Sequence, residues 1–145
     1  MIETQSLDKI LILDFGSQYT QLIARKIREQ NVYCEIHPYN YTIDEIKAFD
    51  AKGIILSGGP SSVYDEGSPI CCKEIFDLNI PVLGICYGMQ LMSYLMGGQV
   101  ARSDKREYGR AHIQISNPCG IFCDFEMKKD YPVWMSHGDK VEAIP

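Results

Sequence analysis

The run Ile10-Leu11-Ile12-Leu13 is apolar at every position and ends in Asp14-Phe15-Gly16-Ser17. A strand with one wet face alternates apolar and polar side chains. An unbroken apolar run that stops at a polar, glycine-bearing loop therefore predicts a strand buried on both faces, as in a parallel sheet covered by helices. The signature returns at residues 53–56 and 81–85, and residues 32–37 form a further strand. Between these runs the spacing turns helical. Tyr19, Leu22, Ile23 and Ile27 follow a candidate cap at Ser17 and precede a stop at Asn31. Ile43, Ile46 and Phe49 mark a short helix over 42–49, and residues 69–78 and the stretch from Tyr87 predict two more. Strand–helix–strand units cross over right-handed. The fold class is thus α/β: a doubly wound, mostly parallel sheet with helices on both faces and active groups at the strand carboxyl ends. Beyond the last helix, residues 112–115 and 133–135 read as shorter strands joined by loops, a small antiparallel annex.

At 145 residues and 46% hydrophobic content the chain suits one domain with one core, and it shows no repeat, low-complexity segment or linker. Lys and Arg total 14 against 19 Asp and Glu, a net charge of −5, which leaves no basic face for a phosphate backbone; nucleic acid is not an expected partner. No apolar run approaches the roughly 20 residues of a membrane span, and Met1-Ile2-Glu3-Thr4-Gln5 lacks the features of a signal peptide. These points predict a cytoplasmic protein without a membrane partner. The six cysteines, at 34, 71, 72, 86, 119 and 123, then read as reduced thiols. Cys119 and Cys123 have no second Cys or His pair at ligand spacing, so no metal site is predicted.

Three segments carry chemistry. Gly84-Ile85-Cys86-Tyr87-Gly88 places a cysteine between glycines at minus two and plus two, after a buried strand and before a helical run. That is the cysteine form of a nucleophile elbow, a strained turn that exposes the side chain and needs small neighbours. The helix N-terminus is expected to favour the thiolate. The pentapeptide alone equally fits a core cysteine that ends a strand. An elbow needs two backbone N–H donors for an oxyanion, one from the residue after the nucleophile, Tyr87, and one from a neighbouring strand end, where Gly58-Gly59 is placed to supply it. Alone, Gly58-Gly59-Pro60 is also an ordinary turn; a phosphate loop is disfavoured because no Walker-type lysine accompanies it. Trp134-Met135-Ser136-His137-Gly138-Asp139 gathers polar groups at the end of an apolar strand, and by itself fits a capped turn with a surface histidine.

Together, Asp14-Phe15-Gly16-Ser17-Gln18, Ser57-Gly58-Gly59-Pro60, Gly84 to Gln90 and Ser136-His137-Gly138-Asp139 closely resemble the class I, or triad, glutamine amidotransferases, in the family's order and over nearly the whole chain. Within the class, Asp14 to Tyr19, Arg106-Glu107-Tyr108-Gly109 and Trp134 to Asp139 look most like the GMP synthetase branch. The resemblance implies that Cys86 attacks the glutamine side-chain amide, giving a glutamyl thioester and ammonia. It implies that the Gly59 and Tyr87 N–H groups hold the oxyanion. It also implies that Gly58, Gln90, Ser136 and His137 bind the glutamine, with Asp139 ordering that pocket. The branch pairs this domain with an ATP-pyrophosphatase domain of the same polypeptide, which aminates xanthosine monophosphate to GMP. ATP and magnesium belong to that second domain, no cofactor is expected in this one, and the full-length protein is expected to be a homodimer.

The family's catalytic histidine and glutamate come from a His-Pro-Glu segment beyond the Ser-His-Gly-Asp motif, and this sequence contains no such segment. The chain is therefore expected to be the front of that domain, with the synthetase domain absent. His37, His112 and His137 are not assigned as substitutes. Two other readings stay open: an amidotransferase serving anthranilate, aminodeoxychorismate or carbamoyl phosphate synthesis, and a non-catalytic glutamine-binding domain.

Overall fold

The computed structural model of the chain describes residues 7–145, without the side chains of residues 104–107, 136 and 137. Strand β1 (Lys9–Asp14) leads into helix α1 (Thr20–Glu29), β2 (Tyr33–Pro38), α2 (Ile43–Phe49) and β3 (Gly53–Leu56). A 3-10 turn (Lys73–Asp77) precedes β4 (Val82–Gly84) and α3 (Tyr87–Leu95), after which β5 (Gln99–Gln114) and β6 (Asp130–Ala143) complete the chain. The first four strands pair in the order β2-β1-β3-β4, all parallel.

The apolar runs are buried on both faces for the reason the sequence suggests. Leu11 and Leu13 stand in register with Ile54 and Leu56, and these four side chains share one face with Ile46 of α2, Ile75 and Leu91 of α3. The intervening Ile12 points the other way, into a second cluster with Ala24 of α1 and Cys34. Period-two alternation within one strand thus feeds two cores, one on each side of the sheet. At α2 the local signals agree with the tertiary result: Thr42 Oγ1 accepts from the Glu45 N–H at 3.3 Å, and the Glu45 carboxylate accepts from the Thr42 N–H at 2.9 Å. Asn31, with φ of 59°, ends α1 as expected.

Three local expectations change. Ser17 does not cap α1; its hydroxyl accepts from the Tyr19 N–H at 3.0 Å in a turn, and the helix starts at Thr20, whose hydroxyl donates to Asp14 at 3.0 Å. The predicted helix over 69–78 is only the 3-10 turn. Cys72 remains extended, while Asn79 adopts a left-handed conformation that turns the chain back toward β4. The annex strands are far longer than predicted, 16 and 14 residues, and pair as an antiparallel ribbon with register shifts between Gln99 and Val100 and between Arg102 and Glu107. In a ribbon the backbone groups satisfy each other, so strand length need not follow an apolar pattern. Val100 and Val141 tie its base into the core beside α3.

Candidate active site

A cavity of about 1040 Å³ opens at the carboxyl ends of β1, β3 and β4, bounded on one side by the ribbon. Gly58 and Gly59 line it after β3, Cys86 and Tyr87 after β4, Gln90 along α3, and Gly138 and Asp139 from β6. Most of the residues singled out in the sequence are therefore brought together, although they come from segments far apart in the chain.

Cys86 sits between β4 and α3 with φ of 50° and ψ of −112°, a conformation that costs a residue with a Cβ of order 1–3 kcal/mol. The surroundings impose it. A Cβ on Gly88 would run into the Leu56 carbonyl oxygen and lie 2.7 Å from the Leu56 carbonyl carbon, so the first turn of α3 rests directly on the end of β3. The Gly88 N–H is shared between the Ser57 and Ile85 carbonyls at 3.1 and 3.0 Å, and the Gln90 N–H reaches the Cys86 carbonyl at 3.1 Å. The Tyr87 side chain is buried; its hydroxyl donates to the Pro69 carbonyl at 2.6 Å and its ring packs 5.5 Å from Phe15. The elbow is thereby clamped from both the sheet and the helix.

Across the turn lies the Gly58-Gly59 loop. A Cβ on Gly58 would stand 3.4 Å from the Cys86 Cβ and 3.6 Å from Ser17 Oγ, which places this loop directly beside the Cys86 side chain. Among the described residues, neither the Gly59 N–H nor the Tyr87 N–H has a hydrogen-bond partner. The thiol departs from the sequence expectation. Burial pushes the Cys86 thiol up from its ordinary value, because the site excludes water and disfavours the thiolate. The helix N-terminus, worth about 0.3–1 kcal/mol, acts in the opposite sense.

Gln90 is buried, and its amide donates to the Asp139 carbonyl at 3.0 Å, so it joins α3 to β6 while lining the cavity. Asp139 is 8% exposed as a residue, and its Oδ2 has no partner among the described residues. Ser136 and His137 stand in β6 opposite Tyr108 and Glu107; their side chains lie outside the described residues, as do those of Arg106 and Glu107. His37 is the penultimate residue of β2, its ring stacked on Tyr41 at 4.2 Å, and His112 is exposed on the ribbon; neither lines the cavity. Cys119 and Cys123 flank an exposed 3-10 turn (Gly120–Phe122) in the connection between β5 and β6.

Sequence reasoning missed Ser57, which is completely buried, and the rim pair Arg102 and Asp65, joined at 3.1 Å. For Ser57 a signal existed: a hydroxyl directly after an apolar strand and before two glycines has no water to bond and must find protein partners. Nothing local marks the Arg102–Asp65 pair, whose members are 37 residues apart.

A strained cysteine turn at the carboxyl edge of a doubly wound sheet, beside a loop whose Gly59 N–H has no partner among the described residues, is the arrangement of a nucleophile-elbow α/β fold. The chain belongs to the class-I glutamine amidotransferase family, whose model matches residues 11–145. It is 60% identical over 140 residues to a GMP synthase [glutamine-hydrolyzing] of Brachyspira hyodysenteriae, covering 97% of this chain and 27% of the relative. A protein of the same name from Campylobacter lari is 60% identical over 136 residues, covering 94% of this chain and 26% of the relative. The chain thus spans about a quarter of the length of the curated relatives it matches. Among solved structures, a Thermoplasma acidophilum protein assigned as one component of a GMP synthase superposes with a TM-score of 0.77 at 31% identity, covering 96% of this chain and 69% of that one. A Thermotoga maritima glutamine amidotransferase gives 0.70 at 22% identity, covering 93% and 62%, which supports the fold. No helix among the described residues is long and apolar enough to cross a membrane.

Proposed function

We propose that Cys86 is the nucleophile of a glutaminase reaction whose ammonia is passed on for the amination of xanthosine monophosphate. The observation that carries this reading is the strained Cys86 turn with two backbone N–H groups, of Tyr87 and Gly59, left without described partners beside it. Sγ attacks the side-chain carbonyl carbon of glutamine, and the carbonyl oxygen gathers negative charge between those two N–H groups. The C–N bond then breaks, ammonia leaves with a proton, and water hydrolyses the thioester to glutamate. Because burial holds the thiol protonated, a base must take its proton as the attack proceeds. We assign that base to the histidine of the family's His-Pro-Glu segment, oriented by its glutamate. Asp139 suits the ammonium end of glutamine, since its buried carboxylate oxygen lacks a described partner. Gln90, with Gly58 and the Ser136-His137 segment, completes that end of the pocket. An ATP-pyrophosphatase domain on the same polypeptide, using ATP and magnesium, would receive the ammonia; the names and greater length of the relatives support this arrangement.

The direct test is alkylation with the chloroketone analogue of glutamine, followed by peptide mapping. Cys86 should be modified in preference to the other five cysteines. Modification of Cys34 or Cys71 with Cys86 untouched would overturn the assignment. For the acceptor, the complete polypeptide should convert xanthosine monophosphate to GMP with glutamine and ATP. Ammonia release without that conversion would point to another amidotransferase pathway.

A further inference from the structure

Ser57 follows β3, is completely buried, and is held by three segments. Its N–H donates to the Leu13 carbonyl at 3.0 Å, its carbonyl accepts from the Gly88 N–H at 3.1 Å, and its hydroxyl accepts from the Phe15 N–H at 2.9 Å. The single hydroxyl proton is donated to the carbonyl of Gly58, also at 2.9 Å. A serine hydroxyl has one proton and two lone pairs, so the Phe15 N–H and the Gly58 carbonyl together determine which way it points.

We infer that Ser57 is the positioning residue of the Gly59 N–H, acting by holding the Gly58–Gly59 peptide in one orientation. The inference rests on the oxyanion reading given above and deepens it. No peptide bond among the described residues is cis, and in a trans peptide the C=O and N–H groups point in opposite directions within one plane. The Ser57 hydroxyl draws the Gly58 carbonyl toward the buried end of β3. The N–H across the same plane is thereby turned away from the interior, on the loop that lines the cavity beside Cys86. A second contact sets where the plane sits: a Cβ on Gly59 would collide with the Phe15 carbonyl oxygen and lie 3.1 Å from the Phe15 carbonyl carbon, so the loop is pressed against the chain leaving β1. Two consecutive glycines offer little intrinsic resistance to rotation of the peptide between them. A flipped peptide would present a carbonyl oxygen where the reaction develops negative charge, replacing attraction with repulsion. Among the described residues, the Ser57 hydroxyl is the one group that donates to the Gly58 carbonyl.

The test compares two reagents on Cys86 in the complete polypeptide. The glutamine chloroketone carries a carbonyl that occupies the oxyanion position, whereas iodoacetamide alkylates by displacement at a CH₂ group and develops no oxyanion. In Ser57→Ala the chloroketone rate should fall about 10- to 100-fold, less than the roughly 100- to 1,000-fold loss typical of deleting a donor outright, because the N–H remains but is no longer held. The iodoacetamide rate should stay within about threefold, and Ser57→Thr, which keeps the hydroxyl, should restore most of the chloroketone rate. Equal losses with both reagents would show that Ser57 serves only the structure of the elbow, and would overturn the inference. An unchanged ratio of the two rates would also overturn it. If Ser57→Ala does not fold, Ser57→Cys, with similar shape and a weaker donor, takes its place: a chloroketone rate equal to that of the unsubstituted polypeptide would refute the role, and a selective loss would support it. Failure of the unsubstituted complete polypeptide, which carries the His-Pro-Glu base, to react with the chloroketone at Cys86 would instead refute the proposed function, so the two failures are distinguishable.

Discussion

Replacing Gly88 by alanine adds a single carbon, yet the structure leaves no room for it. The new Cβ would fall on the Leu56 carbonyl oxygen and within 2.7 Å of both the carbonyl carbon and the Cβ of Leu56. These are atoms of a central strand or fixed directly to it, since β3 is paired on both sides, with β1 and β4. Relief must come from moving the first turn of α3 outward, by about 1 Å to reach ordinary contact, because strand backbone has no rotamer to change. Overpacking of this kind costs about 1–3 kcal/mol. For a domain of this size that corresponds to a fall in unfolding midpoint of roughly 3–10 °C. The same movement carries the Tyr87 N–H, one residue earlier, away from its place beside Cys86, and a misplacement of about 1 Å can cost about 100-fold in rate. The assay pairs thermal unfolding with the rate at which the glutamine chloroketone modifies Cys86. A Gly88→Ala protein that unfolds within 1 °C of the unsubstituted chain (~0.3 kcal/mol by the same scaling) and reacts within about twofold would refute the reasoning. It would mean that the elbow does not rest on β3 as described.

The remaining predictions concern protons. Because burial raises the Cys86 thiol, its protonated form dominates at neutral pH, and the iodoacetamide rate should rise about tenfold per pH unit through pH 8 and keep rising beyond pH 9; a plateau below pH 8 would contradict this. Cys71 is buried, and its thiol is pushed up to about 12, chiefly by that burial. The folded state therefore keeps a proton that the unfolded chain releases near its ordinary value of 9.0, so stability falls as pH rises from there toward 12, by at most about 1.4 kcal/mol per pH unit. Cys71→Ala should cost about 1 kcal/mol at pH 7 through the space it leaves, yet flatten the alkaline decline seen by urea unfolding; identical slopes in the two proteins would refute this. Some slope should persist, because burial also raises the thiols of Cys72 and Cys86.

How much could be read before any coordinates follows from the range of the forces involved. The strands were legible because burial on both faces leaves unbroken apolar runs such as residues 10–13, and α2 because Thr42 and Glu45 satisfy each other three residues apart. The elbow was legible because close approach of α3 to β3 demands glycine at 88, a requirement written directly in residue type. Local signals failed where a distant partner decided the outcome. Residues 69–78 carry helical spacing, but Cys71 and Ile75 are drawn into the core, and the chain must turn back at once into β4. The extent of the ribbon depends on cross-strand pairing that no single stretch displays.

The sequence by itself determined the class of fold, the order of the loops at the strand ends and the identity of the one cysteine set between spaced glycines. Tertiary structure alone decided the chemistry around that cysteine. A helix N-terminus is a local feature and suggests a lowered thiol pKa; the degree to which loops from β1, β3 and the ribbon exclude water is not local, and it sends the thiol the other way. The Ser57 hydroxyl bridges Phe15, 42 residues earlier, and the carbonyl of the next residue, while Gln90 reaches Asp139 across 49 residues. Hydrogen bonds and desolvation act over a few ångströms of space without regard to separation along the chain, so such partners exist only once the sheet has brought the loops together.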